Sequence, residues 1–347
     1  MMQPANSASA ATEPQLRFEG LDVLRGLAAL YVMLSHYTSY SLRKFGGTPF
    51  LVARETGEYA VWLFFMISGF VIFFSLERSR TWVDFAVSRA TRLYPAYWAT
   101  LCLVVVLEVW WFRDHVFWPG AFLTNLTMFQ EYLGFPNIDD IYWTLTIELA
   151  FYVWIALLFR AGCLHQVETW CAVWLLLAWI VVAAERWTGF ALPAWAARVL
   201  ILPYMPLFII GIMTYLNRLH GFNARRVAII GACLATVWAV MGLNHFIAAA
   251  PLAALAAFAV SPWGRILACA PLLWLGTISY SLYLVHHNLG YLLLSDLHRR
   301  GLGTAAALVF TIALAIVLAA AVTFLIERPV CAWLRERYRA RVSRLTR

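Results

Sequence analysis

Charged residues are scarce in this sequence of 347 residues, and lysine is almost missing. Only 13% of the residues are charged, against about 25% in soluble domains, while 63% are hydrophobic and the mean hydropathy is +0.74. Lys44 is the single lysine among 26 basic residues. These proportions exclude a water-soluble globule, a disordered chain and a coiled coil as the whole structure, and they are typical of a membrane protein.

The cysteines also exclude several classes of protein. The six cysteines lie in or beside apolar segments, and no two have the C-x-x-C spacing typical of zinc sites. We therefore expect neither a disulfide framework nor a metal site. The net charge of +8 does not require a nucleic-acid partner, because basic loops and anionic lipids account for it.

Apolar residues occur in blocks of about twenty, the length that crosses about 30 Å of hydrocarbon. We predict an all-α membrane protein, a polytopic bundle of about ten transmembrane helices. Their approximate ranges are 20–41, 58–77, 93–112, 141–160, 168–185, 199–217, 226–244, 245–261, 267–294 and 303–326. An even number of spans places both termini on one side, and most Lys and Arg residues fall in loops on that side. The positive-inside rule then predicts that both termini are cytoplasmic.

The two ends of the chain are polar. Residues 1–16 are small and polar without a basic segment before an apolar one, so we predict a disordered tail rather than a signal peptide. Residues 329–347 are predicted to form a basic cytoplasmic tail, which leaves 17–328 as the transmembrane domain.

Ionisable side chains inside membrane spans are costly, so each marks a candidate functional site. The first span contains Asp22, Arg25 and His36. Asp22 and Arg25 are three residues apart and can pair on one helix face. Arg25 and His36 project from nearly the same face about 16 Å apart along the helix axis. We expect Arg25 and His36 to lie at the two ends of one path along the first span.

Further polar residues are predicted near the two ends of this path, which are marked by Arg25 and His36. Glu148 and His286 lie at about the same predicted depth as His36. Arg89 and Arg92, one turn apart, are suited to binding phosphate through their fork-shaped guanidinium groups. Other candidates within the spans are Ser68, Ser279, Tyr280 and Tyr283. Each residue taken alone also fits a structural role, as a hydrogen bond between helices, a membrane anchor or a packing contact.

Several segments together resemble the acyltransferase-3 family of integral membrane O-acyltransferases over nearly the whole chain. The segments are LDVLRGLAALYVMLSHY with Arg25 and His36, FFMISGFVIFF, RATRLYPAYW with Arg89 and Arg92, YWTLTIELAFYV with Trp143 and Glu148, GTISYSLYLVHH with Ser279 to His286, and IERP. The sequence departs from the family pattern at Thr144, where serine is usual, at Leu149 and Ala150, where polar residues are frequent, and at Asn288, where proline is common.

The resemblance implies transfer of an acyl group, usually acetyl, from cytoplasmic acyl-CoA to a hydroxyl of a glycan or similar acceptor at the outer face of the cytoplasmic (inner) membrane. It implies no permanently bound cofactor and no nucleic acid. Arg25, Arg89 and Arg92 would bind the CoA phosphates, His36 would be the general base, and Glu148 would orient His36. Ser279 or Tyr280 would stabilise the oxyanion. The remaining donor- or substrate-binding candidates are Ser68, Trp143, Tyr283 and His286.

Alternatives remain open at this point. An acyl-enzyme formed on His36 or Ser68 competes with direct transfer, which we favour. A transporter or flippase of a lipid-linked or small amphiphilic cargo is the second functional hypothesis, although the two halves show no matching Gly- or Pro-interrupted spans. A structural scaffold is the third. The buried acids and bases argue against it, because each one has an insertion cost.

Overall fold

The computed structural model describes residues 18–46, 56–111 and 119–345, and within these ranges it is helical without a β-strand. The helices are α1 (Glu19–Phe45), α2 (Gly57–Leu76), α3 (Trp82–Trp111), α4 (Pro119–Asn125), α5 (Trp143–Arg160), α6 (Val167–Thr188), α7 (Ala194–Leu200), α8 (Met205–His220), α9 (Ala224–Met241), α10 (Leu243–Val260), α11 (Ala270–Val285), α12 (His287–Arg299), α13 (Thr304–Ala321) and α14 (Arg328–Leu345). The prediction of an all-α bundle is confirmed.

Eight helical segments in the described ranges are long and apolar enough to cross a membrane. The other two of the ten predicted spans correspond to α1 and α11. Helix α1 contains the polar residues Asp22, Arg25 and His36, and α11 has 16 residues, a length of about 24 Å. Both helices that depart from a standard span therefore carry polar candidates.

Helices α1 and α11 pack against each other with their backbones nearly in contact. They run in the same direction, because Arg25 meets the carbonyl of Gly276 and His36 meets His286 further along both helices. A Cβ atom at Gly276 would collide with the carbonyl oxygen of Asp22, and one at Gly26 would lie 2.6 Å from the nitrogen of Gly276. Small residues allow this approach, as is common between membrane helices.

The predicted ninth span, 267–294, is wrong as one continuous helix. It divides at His286 into α11 and α12. Nδ1 of His286 donates to the carbonyl oxygens of Leu282 and Tyr283, at 3.2 and 2.7 Å. Two carbonyl groups in the last turn of α11 therefore accept hydrogen bonds from a side chain. The break thus places an imidazole at the junction of two helices.

The end of the chain contains a second irregularity. A π-helical stretch, Val322–Glu327, joins α13 to α14, and such stretches occur frequently at functional sites. Residues 329–345 of the predicted tail lie in helix α14, which carries exposed arginines. The predicted disordered tail 1–16 lies outside the described residues.

Candidate active site

A cavity of about 130 Å³ that contains several polar and charged side chains in its wall lies between α1, α2, α3, α5 and α11. We call it the arginine cavity, because Arg25, Arg89 and Arg92 all line it. The other predicted site residues in its wall are Ser68, Glu148, Ser279, Tyr280 and Tyr283. One cavity therefore brings together eight candidates from five helices.

Arg25 is held at the α1–α11 contact. Its Nε donates to Oγ of Ser279 at 2.9 Å, and its guanidinium also donates to the carbonyl oxygen of Gly276 at 3.0 Å. The predicted pairing with Asp22 is confirmed at 3.3 Å. These contacts fix the orientation of the guanidinium. Because this group is planar and rigid, it loses little conformational freedom for each hydrogen bond that it forms.

Arg89 and Arg92 have different partners. Arg89 donates to Oγ of Ser75 at 2.8 Å. Arg92 forms an ion pair with Glu327, and its guanidinium lies 5.1 Å from the centre of the Tyr280 ring. Glu327 belongs to the IERP segment, to which sequence reasoning gave no role. Phosphate binding by Arg89 and Arg92 stays a prediction.

Glu148 does not orient His36, and the prediction that it does is wrong. Its Oε1 accepts hydrogen bonds from Ser68 at 2.7 Å and from Tyr152 at 2.5 Å. Equal depth in two helices did not bring the two side chains together, because α5 directs Glu148 into the arginine cavity. Glu148 therefore contributes negative charge to the wall that contains the arginines.

The partner of His36 is His286. Nδ1 of His36 lies 3.0 Å from Nε2 of His286, and the two rings stack with centres 5.2 Å apart. The ring of His287 meets His36 edge-on, with centres 4.9 Å apart. We call His36, His286 and His287 the histidine cluster.

The hydrogen bonds of His286 determine the proton positions in this pair. Because Nδ1 of His286 donates to two carbonyl oxygens, Nε2 of the neutral ring is an acceptor. His36 must then donate from Nδ1, which leaves the lone pair on its Nε2. Nε2 of His36 has no hydrogen-bond partner among the described residues and is the atom that can accept a proton.

A further buried network adjoins the histidine cluster, and sequence reasoning missed it. His287 Nδ1 lies 2.7 Å from Oδ1 of Asp139, which is fully buried. Asn288 donates from its backbone to Asp139 at 3.2 Å and from its side chain to Glu108 at 2.7 Å. The acidic residues lie in a loop and in α3, far from His287 in sequence, so no local pattern signals the contact.

Tyr283 and Thr144 separate the arginine cavity from the histidine cluster. Both residues line the cavity, and their hydroxyl groups are hydrogen bonded at 2.8 Å. On its other side the Tyr283 ring lies 5.6 Å from the ring of His286. His36 is not in the wall of the cavity, so the cavity does not extend along the whole path expected between Arg25 and His36.

Trp143 occupies a different place from the other candidates. It packs against Tyr204, with ring centres 5.5 Å apart, and lines a second cavity of about 210 Å³ together with Glu131 and Arg198. Across the part of the chain that the structure describes, no group of His, Cys, Asp and Glu side chains is arranged to hold a metal ion.

The helices and the buried polar centre define a multi-pass helical membrane protein. The chain belongs to the acyltransferase-3 family, since the family model Acyl_transf_3, described as an acyltransferase domain, matches residues 18–326. This match confirms the resemblance seen in the sequence motifs.

Three curated proteins are similar to parts of the chain, and two of them are described as transferases. The chain is 30% identical to "O-acetyl transferase" of Shigella phage Sf6 over 149 residues, which cover 38% of this chain and 43% of that protein. It is 28% identical to "Acyltransferase MdmB" of Streptomyces mycarofaciens over 180 residues, 48% of this chain and 46% of the relative. "Nodulation protein 10" of Rhizobium leguminosarum bv. viciae is 25% identical over 183 residues, 45% of this chain and 47% of the relative. The matches span less than half the length of these relatives. No solved structure matches the chain.

Proposed function

We propose that this protein is an O-acyltransferase of a cytoplasmic membrane that transfers an acyl group, acetyl by preference, from acyl-CoA to a hydroxyl of a glycan or similar acceptor. The observation that carries the proposal is the placement of two complementary sites along α1. Arg25 contributes to a cavity lined by three guanidinium groups, and His36 lies further along α1 with Nε2 available as a base.

The arginine cavity is the donor site in this proposal. Its guanidinium groups carry the charge and fork geometry that bind phosphate oxygens. Glu327 holds Arg92 in place, and Glu148 lies in the same cavity wall as the three guanidinium groups, so both carboxylates are placed to balance their charge before the donor binds. The pantetheine arm would pass Tyr283 and bring the thioester to the histidine cluster, a distance of about 16 Å along α1.

His36 is the general base. The acceptor oxygen attacks the thioester carbonyl and its proton passes to Nε2 of His36, while the C–S bond breaks and CoA leaves. His286 holds the imidazole in this tautomer, which is the orienting role that a carboxylate has in other catalytic sites. The description of the Shigella phage relative as an O-acetyl transferase supports acetyl as the group transferred.

Binding of the donor provides the first test. Acetyl-CoA should raise the melting temperature of the purified protein in detergent, because a ligand of the native state stabilises that state. Arg89→Ala should reduce the shift, and exposed Arg300→Ala, outside the cavity, should leave it unchanged. No shift with the wild-type protein would contradict the proposal and favour a transporter, which has no reason to bind the thioester.

A further inference from the structure

Two imidazoles with different neighbours lie side by side in the histidine cluster. The His36 ring is bonded to another imidazole, His286, whereas His287 is bonded to a carboxylate, Asp139. A neighbouring carboxylate favours the protonated, charged form of an imidazole, and a neutral neighbour does not. Adjacent groups whose environments favour opposite protonation states are typical of an acid and a base that act together.

Titratable groups from several packed elements face the two rings. Helix α1 contributes His36 and Arg43, α12 contributes Tyr291, and the loop before α5 contributes Asp139 and Asp140. His286 lies between α11 and α12, and Glu108 of α3 approaches through Asn288. Asp139 contacts His287 directly, and Glu108 contacts the neighbouring Asn288. Asp139 therefore lies beside His287, whereas the neighbours of His36 are the other two imidazoles.

The geometry of His287 is suited to proton donation. Its Nδ1 is bonded to Asp139, and the backbone amide of Asn288 donates to the second oxygen of that carboxylate at 3.2 Å. The carboxylate and the ring are thus held in a fixed relative orientation. Nε2 of His287 has no hydrogen-bond partner among the described residues, so the protonated ring has a donor available for a substrate.

We propose that His287 is the general acid that protonates the sulfur of the departing CoA, and that Asp139 is its positioning residue. This inference rests on the proposed acyltransferase function with His36 as base. As the C–O bond forms, the acceptor proton goes to Nε2 of His36. As the C–S bond breaks, its electron pair stays on sulfur and the proton on Nε2 of His287 moves to that sulfur.

The two steps balance. One acceptor O–H is lost and one CoA S–H is formed, and His36 ends with one proton more and His287 with one fewer. Transfer of one proton from His36 to His287, whose ring centres are 4.9 Å apart, restores both residues for the next cycle. No oxidant, metal ion or further co-reactant is required.

The test uses the purified protein in detergent with acetyl-CoA as donor and methanol as a surrogate acceptor, and follows release of the CoA thiol against pH. The base must be neutral, so the rate falls as pH is lowered. The acid must be protonated, so the rate also falls as pH is raised. His287→Gln should lower kcat by about 10²-fold and abolish the fall at high pH. Asp139→Asn should move that fall to lower pH, because the imidazolium loses its counter-charge.

A second donor separates chemistry from a structural defect. The acetyl thioester of 4-nitrothiophenol has a leaving group that needs no protonation, so the defect of His287→Gln should shrink with this donor. The defect of His36→Gln should remain. His245→Gln is the matched control, because its ring contacts Tyr59 and Trp62 instead of the site, and it should behave as wild type.

The inference is overturned if His287→Gln keeps the fall in rate at high pH, or if its defect is equal with both thioesters. Either result would make His287 a structural residue and leave the function of His36 intact. If the wild-type protein released no CoA thiol from acetyl-CoA, the proposed acyltransferase function itself would fail.

Discussion

At the scale of single residues, hydrogen bonds of the side chains determine which nitrogen atoms of the imidazoles carry protons. His286 uses Nδ1 for two backbone carbonyl oxygens and Nε2 for His36, so its own bonds determine which nitrogen of His36 carries the lone pair. Tyr283 is placed to affect passage between the arginine cavity and the histidine cluster, since its hydroxyl group is bonded to Thr144 between them. Substitutions of His286 and Tyr283 test these two roles separately.

Replacing His286 tests the orientation of His36. His286→Ala removes the acceptor of the His36 proton, so we expect kcat to fall by about 10²-fold with little change in the KM for acetyl-CoA. His286→Gln offers an amide oxygen in a similar position and should recover part of the rate. The measurement is initial-rate kinetics of CoA release, and equal rates for the alanine variant and the wild type would contradict the role.

Replacing Tyr283 tests the passage between the arginine cavity and the histidine cluster. Tyr283→Trp places a larger ring at the narrow point, so transfer should be lost while the acetyl-CoA-induced rise in melting temperature remains. Tyr283→Phe removes only the bond to Thr144 and should keep transfer. If the tryptophan variant transferred acetyl groups at the wild-type rate, the thioester would reach His36 by another route.

At the scale of helices, the register between α1 and α11 aligns the two parts of the site. The same helix pair joins Arg25 to Ser279 and His36 to His286. The close approach that permits both contacts requires small residues at Gly26 and Gly276. The division of α11 from α12 at His286 then directs His287 toward Asp139.

A methyl group at the helix contact should disturb both ends of the site. In Gly276→Ala, the new Cβ meets the backbone carbonyl of Asp22, so α1 and α11 must separate, at a cost of about 1–3 kcal/mol. We expect a lower melting temperature and lower transfer activity. Gly231→Ala in α9 is the matched control, because nothing lies within 4 Å of its added Cβ. If Gly276→Ala had the same melting temperature as the wild type, the contact between α1 and α11 would be looser than described.

At the scale of the whole molecule, the bundle encloses a polar interior behind apolar surfaces. Many large apolar side chains are exposed on the outside, for example Trp110, Leu176 and Leu325, as expected for helices in contact with lipid. Arg89, Glu148 and the histidine cluster lie between the helices, where the hydrogen bonds of Arg89 to Ser75, of Ser68 to Glu148 and between the imidazoles offset part of the cost of burying polar groups. The orientation of this bundle in the membrane remains a prediction from the distribution of basic residues.

Reporter fusions in cells test that orientation. With both termini in the cytoplasm, alkaline phosphatase fused after the last residue should be inactive, and a green fluorescent protein fused there should fluoresce. Phosphatase fused after Gly301, in the short connection between α12 and α13, should be active because this loop is predicted to face the exterior. The reverse pattern would invert the topology and place the arginine cavity on the wrong side for a cytoplasmic donor.

The sequence by itself determined the class of protein, the positions of most helices, the family, and the placement of Arg25 and His36 on one face of α1, because these follow from composition, periodicity and local motifs. Only the tertiary structure decided that His36 pairs with His286 and not Glu148, that Glu327 pairs with Arg92, and that Asp139 supports His287. Depth along a helix can be counted from the sequence. Which side chains meet depends on how each helix is rotated and packed against its neighbours, and residues distant in the chain set that rotation.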